Sequence, residues 1–192
     1  MAIAYVNVGA ESTGGYGNDT DTTIALPASI VAGNLLVACL SFRANSGSSS
    51  FTWPAGWTVV STQALPSGNG QAEVAYRVAS GSDTAPVVTH ASGWTLGVCM
   101  QLSGASEAVA GTKNTVNGST NPNVSAFNST GANSWSVYFY STLGTTTELL
   151  PNPSGWTQRV THTEGYSNGN KVLCIGTKTL GASGSSSGSI SE

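Results

Sequence analysis

Residues 54–60, PAGWTVV, and residues 153–157, PSGWT, carry the same Pro-x-Gly-Trp-Thr phrase at positions 99 residues apart. Sliding the chain on itself by that spacing also lays Asn34 on Asn133, Thr62 on Thr161 and Asn69-Gly70 on Asn168-Gly169, with no gap. Under the same shift LLVACLSF (35–42) lies over SWSVYFYS (134–141), two runs rich in aliphatic and aromatic residues. YVNVGAE near the N-terminus matches MQLSGAS with a shift near 95, as if each copy opened on a strand running into a Gly-Ala turn. A repeat of this kind governs the fold reading. It predicts one domain, 1–192, made of two sequence repeats at about 1–95 and 96–192.

Each shared residue has a conformational task. In Trp53-Pro54-Ala55-Gly56 and Asn152-Pro153-Ser154-Gly155 the spacing predicts a four-residue turn with Pro second and Gly fourth, since Pro fixes φ there. Trp57 and Trp156 then open strands, and an indole at that point buries enough apolar surface to dock the strand on the core. Asn-Gly at 69–70 and 168–169 lies between strand-like runs, a strong hairpin signal.

The rest of the chain reads as all-β. No long window repeats apolar residues at helical spacing, whereas short β-rich runs alternate with Gly, Asn, Ser and Pro. The predicted strands are 3–8, 22–26, 35–42, 58–62, 72–79, 86–90, 94–102, 123–127, 135–141, 158–163, 171–177 and 188–191. In 94–102, Trp94, Leu96, Val98, Met100 and Leu102 alternate with Thr95, Gly97, Cys99 and Gln101, the period of a strand with one buried face. The expected architecture is a two-sheet antiparallel sandwich, a jelly roll closed by the two halves of an internal duplication. The tail GASGSSSGSISE falls over SGSDTAPVV in the first copy, so Ile190 is expected to pair at a sheet edge.

Composition narrows function. Only 8% of residues are charged, against roughly 25% in ordinary soluble domains, and the six Lys and Arg are scattered. Such a chain offers no cationic surface for nucleic acid. It has neither a signal-like N-terminus nor an apolar run of membrane-spanning length, which predicts a protein made in the cytoplasm, not secreted and with no membrane partner. Without secretion the sequons at Asn18, Asn117 and Asn128 are expected to stay bare. Cys39, Cys99 and Cys174 sit inside apolar runs and are expected as buried free thiols.

No residue pattern points to catalysis. His90 and His162 are read as structural residues at the surface or at strand ends, and Glu148 and Glu164, which flank the second Trp phrase, as solvated charges. Asn18-Asp19-Thr20-Asp21 groups oxygen ligands, which makes Asp19 and Asp21 the only calcium candidates, but the spacing of a calcium loop is absent. No cofactor is implied. Tyr16, Trp53 and Tyr166 stand in or beside turn-forming loops and are the candidate partner contacts, with Trp57 and Trp156 assigned to the core.

GNLLVA (33–38), PAGWT (54–58) and YRVA (76–79) together resemble a recurrent module of bacteriophage structural proteins, in which a GDLLVA-like strand precedes a PxGWT turn and a Y-[KR]-x-A strand. The resemblance covers roughly the first hundred residues well and the second half more loosely. It implies a non-enzymatic virion β-sandwich protein, assembled in the host cytoplasm and carried on the particle. The expected role is a capsid decoration or cement protein that contacts the major capsid protein or other virion proteins as a homo-oligomer, with a trimer expected. The alternatives are a tail or fibre host-recognition protein and a carbohydrate-binding module with a glycan partner.

Overall fold

The computed structural model describes residues 2–14, 19–44, 50–64, 70–110, 134–144, 153–166 and 169–181. All of their regular structure is β: β1 (Ala4–Val8), β2 (Ser12–Gly14), β3 (Asp21–Thr23), β4 (Leu35–Ala44), β5 (Phe51–Thr52), β6 (Thr58–Ala64), β7 (Gly70–Val78), β8 (Val87–His90), β9 (Gly93–Ser103), β10 (Ser134–Gly144), β11 (Thr157–Tyr166) and β12 (Gly169–Gly181). The chain divides into two compact units, Met1–Ala110 and Gly111–Glu192. The predicted strands at 123–127 and 188–191, and with them Ile190, lie outside the described residues.

The first unit is an antiparallel two-sheet sandwich. One sheet runs β1-β9-β4-β7-β6, with β2 also paired to β9, and the other runs β3-β8-β5. Ile24, Leu36, Ala38, Leu40, Ala79, Val88 and Cys99 form the core between them, joined by the partly buried Phe51, Trp53 and Trp57. Phe42 meets Phe51 edge-on at 5.7 Å and lies 5.0 Å from His90, closing one end of that core. In the second unit the described strands form a three-stranded sheet, β10-β12-β11. Its core gathers Tyr138, Trp156, Val172 and Cys174.

The strand β9 departs from its expected single buried face, because Thr95, Cys99 and Gln101 are as buried as Leu96, Val98 and Met100. It is an interior strand whose second face turns to the small sheet, and its polar residues there are all satisfied. Gln101 accepts from the Val31 amide (2.8 Å) and donates to Asn7 Oδ1 (2.9 Å). Thr95 accepts from the Gly14 amide at 2.8 Å and lies 2.6 Å from the Thr22 hydroxyl. Polar residues with partners are buried at little cost, and so polarity alone misplaced that face.

Two further readings take their place in the fold. YVNVGAE and MQLSGAS are neighbours in one sheet, since Tyr5 pairs with Leu102 and Val8 with Met100. The expected repeat boundary at 95/96 consequently falls inside β9. The predicted strand 22–26 shortens to β3 because the chain leaves the small sheet at Ile24: Ala25 N–H bonds Ser12 Oγ at 2.7 Å, and the Ala25 carbonyl comes so close to Gly9 that a Cβ there would lie 2.3 Å from it.

The order β10-β12-β11 matches β4-β7-β6, and the bulge between Val59 and Ser61 has its counterpart between Gln158 and Val160. The spacing of 99 does not hold throughout this correspondence. Thr58 pairs with Tyr76 but Thr157 pairs with Thr177, and Leu35 pairs with Val78 where Trp135 pairs with Thr179. The register thus slides by two residues along β12 and by one along β10. The hairpin explains the slide: six residues separate the paired Ala64 and Gln71, and eight separate the paired Thr163 and Val172.

Candidate functional site

The two Pro-x-Gly-Trp phrases fold alike, and neither forms the turn expected from sequence. Trp57 N–H bonds the Pro54 carbonyl at 3.3 Å and Trp156 N–H bonds that of Pro153 at 3.0 Å, so Pro is first in the turn and Gly third. Gly56 and Gly155 have φ of 88° and 80°. A positive φ at that third position is the mark of a type II turn, which is why glycine stands there.

A cation from the adjoining strand lies under each glycine. A Cβ on Gly56 would sit 3.8 Å from Arg77 Cζ, 3.8 Å from Nη2 and 4.0 Å from Nη1, distances so even that the guanidinium must lie flat against the turn. In the second unit Lys178 takes the equivalent place, with Nζ 3.8 Å from such a Cβ and 6.0 Å from the Trp156 ring centroid. Sequence reading passed over this pair. The signal was available, since Arg77 follows Trp57 by 20 residues and Lys178 follows Trp156 by 22, but the slide of register along β12 hid it from a fixed spacing of 99.

Beside the first turn is an open groove of about 290 Å³, lined by Pro54, Ala55, Trp57, Arg77, Pro86 and Val87, with Thr84 and Ala85 completing its wall. Arg77 Nη2 pairs with Asp83 Oδ1 at 3.1 Å, while Asp83 Oδ2 accepts from the amides of Ser80 (2.7 Å) and Gly81 (3.1 Å). Burial pushes the Asp83 carboxyl up, but the Ser80 amide and hydroxyl, the Gly81 amide and the Arg77 guanidinium together outweigh it and hold the group below its ordinary value. The Asp83 side chain is 0% exposed and that of Arg77 27% exposed. The groove therefore presents a donor ion-paired from behind to an acid that is itself covered.

Trp57 is half-buried, with its ring 5.6 Å from Trp53 and tilted by 35°. Trp53, a candidate contact residue, is itself held as part of the scaffold. Its indole N–H donates to Glu73 Oε2 at 2.8 Å, and Glu73 Oε1 accepts from Thr62 (3.1 Å) and Gln71 (2.5 Å). Trp156 is buried and meets Tyr138 edge-on at 5.1 Å. Tyr16 lies outside the described residues; the backbone of Tyr166 ends β11, and its side chain is outside them too.

Asp19 and Asp21 are exposed, and among the described residues no group of three His, Cys, Asp or Glu gathers as metal ligands would. His90 ends β8 as expected of a strand-end residue, but it is buried and not at the surface. Its Nδ1 donates to the Ala91 carbonyl at 2.7 Å, and its Nε2 lies 2.8 Å from the Thr22 hydroxyl. The Thr22 and Thr95 hydroxyls share a hydrogen bond, so the relay is closed inside the sandwich. Glu148 lies outside the described residues, as does the side chain of Glu164. All three cysteines are buried and none is in a disulfide, and burial pushes the Cys39 thiol up to about 12 and the Cys99 thiol upward as well.

Comparison of the chain with models of known families, with curated proteins and with solved structures found no match.

Proposed function

We propose that the chain is a non-enzymatic bacteriophage virion protein that decorates or cements the capsid, contacting the major capsid protein or other virion proteins as a homo-oligomer. One observation carries the reading: the three segments that resemble the phage module are joined neighbours in the fold. Leu35, Leu36 and Val37 of GNLLVA pair with Val78, Arg77 and Tyr76 of YRVA, and Thr58 of PAGWT pairs with the same Tyr76. Gly33 N–H and the Asn34 carbonyl extend that ladder to Ala79, at 2.9 and 2.7 Å. The resemblance thus belongs to a packing unit whose residues build a scaffold, as a structural role requires. The same reading takes β4-β7-β6 and β10-β12-β11 as copies of one ancestral unit.

A second reading, a tail or fibre protein that recognises the host surface, is favoured by the groove at Trp57 and Arg77. Counting the protein in purified particles of the phage that encodes it separates the two. A band on a stained gel comparable with that of the major capsid protein is the expected result, and particles stripped of the protein should lose heat resistance. A few copies confined to tails would favour host recognition, and absence from the particle would remove both readings.

A further inference from the structure

We propose that the groove beside the Pro54–Trp57 turn binds a carboxylate-bearing sugar, a uronic acid or a sugar of similar chemistry, with the acid on Arg77 and the ring against Trp57. The inference goes beyond the virion reading and does not depend on it.

The donor set of the groove leads to this ligand. Pro54 and Pro86 have no N–H, the Trp57 amide is bonded to the Pro54 carbonyl, and Val87 is paired with Thr23 in the small sheet. An extended peptide needs free backbone groups along its track, and this wall offers few. The chief donor left is the guanidinium of Arg77, flat on Gly56 and ion-paired to Asp83. A planar fork held in this way recognises a carboxylate through two parallel hydrogen bonds, which a lysine in its place does not reproduce. Asp83 already takes up Arg77 Nη2 from its covered position, so an incoming acid would meet the rest of the guanidinium.

The remaining walls are apolar: proline rings, Ala55, Ala85, Val87 and an indole backed on one side by Trp53. They suit the aliphatic face of a pyranose, and a volume of about 290 Å³ is at the small end of ligand sites, room for little more than one such ring. The net charge of −3 gives no general attraction for anions. Selection of the acid must then come from Arg77 itself.

The test is a titration of the full chain, followed by ¹H–¹⁵N spectra, with methyl β-D-glucuronide, methyl β-D-glucoside and, as a peptide acid, N-acetyl-alanyl-proline. The glucuronide should give saturable shifts at the Trp57 indole N–H, the Arg77 Nε–H and the amides of Ala85 and Val87, with the other two probes weaker by about tenfold or more. Arg77→Lys should weaken the glucuronide by about tenfold while keeping the amide spectrum of a folded chain, since Lys178 already occupies the equivalent position in the second unit. Equal binding of the glucoside would overturn the role given to the acid. Preference for the peptide acid would overturn the sugar, and unchanged affinity in Arg77→Lys, or no saturable shift with any probe, would overturn the site. None of these results bears on how many copies a particle holds, so the virion reading stands or falls separately.

Discussion

Gly56 and Gly155 test the turn at the level of a single atom. Each has a positive φ, and a methyl group on Gly56 would meet nothing nearer than the Arg77 guanidinium at 3.8 Å. The cost of Gly→Ala is therefore conformational and not steric, about 1–2 kcal/mol at either position. Urea unfolding of Gly56→Ala and Gly155→Ala should show losses of that size; no loss would mean the turn is not held with Gly third. Asp83 provides the acid-side counterpart. Its carboxyl is held below the ordinary value of 3.8, so its contribution is complete above that value and is lost as pH falls through the lowered native one. Asp83→Asn should cost about 1–2 kcal/mol at pH 7, and its stability should converge on that of the parent chain as pH falls through the lowered native value. A constant difference across that range would show that the charge on Asp83 contributes nothing.

Elements were legible where side chains and turns agreed. The runs at 35–42, 58–62 and 72–79 were found because β-branched and aromatic residues are bounded by Gly and Pro, and they are β4, β6 and β7. β2 and β5 have three and two residues, too short to carry a period, and both were missed. The face of β9 was misread because alternation reports polarity and Thr95 and Gln101 are buried with their partners. Glu73 was equally invisible: a carboxylate within GQAEVAYRV reads as a solvated strand residue, yet it is 7% exposed and accepts three hydrogen bonds, from Trp53, Thr62 and Gln71. It ties β6 and β7 to the segment before the turn. Glu73→Gln keeps the shape but replaces one acceptor by a donor among donors, and Trp53→Phe leaves Oε2 short of one. Each should cost about 1–3 kcal/mol in chemical denaturation. Because both act on one group, the double variant should lose less than the sum of the two; strict additivity would show that the Trp53–Glu73 bond is not formed.

At the scale of the whole chain the shared phrases were legible as a spacing, but the division into two units at Ala110 was not. The two turns and the two hairpins are marked by Pro-x-Gly-Trp and Asn-Gly, whereas β9 bears no such mark and joins the first unit through its pairing with β1, β2 and β4. The groove was illegible for a related reason, since Trp57, Arg77 and Pro86 are brought together only by the pairing of β6 with β7 and the packing of the small sheet. All strands of both sandwich sheets, and the core residues from Ile24 to Cys99, lie within Met1–Ala110. The relay through Thr22, His90 and Thr95 and the bonds of Gln101 to Val31 and Asn7 also close within that segment. A chain ending at Ala110 should accordingly fold by itself. It should show a β-type far-ultraviolet spectrum, dispersed amide resonances and a single cooperative urea transition, with the signals of the Trp57 groove where the full chain has them. A fragment that instead binds hydrophobic dyes and loses its β signal without a transition would mean that residues beyond 110 are needed to complete the sandwich. The groove titration would then have meaning only in the full chain, the form in which it is proposed.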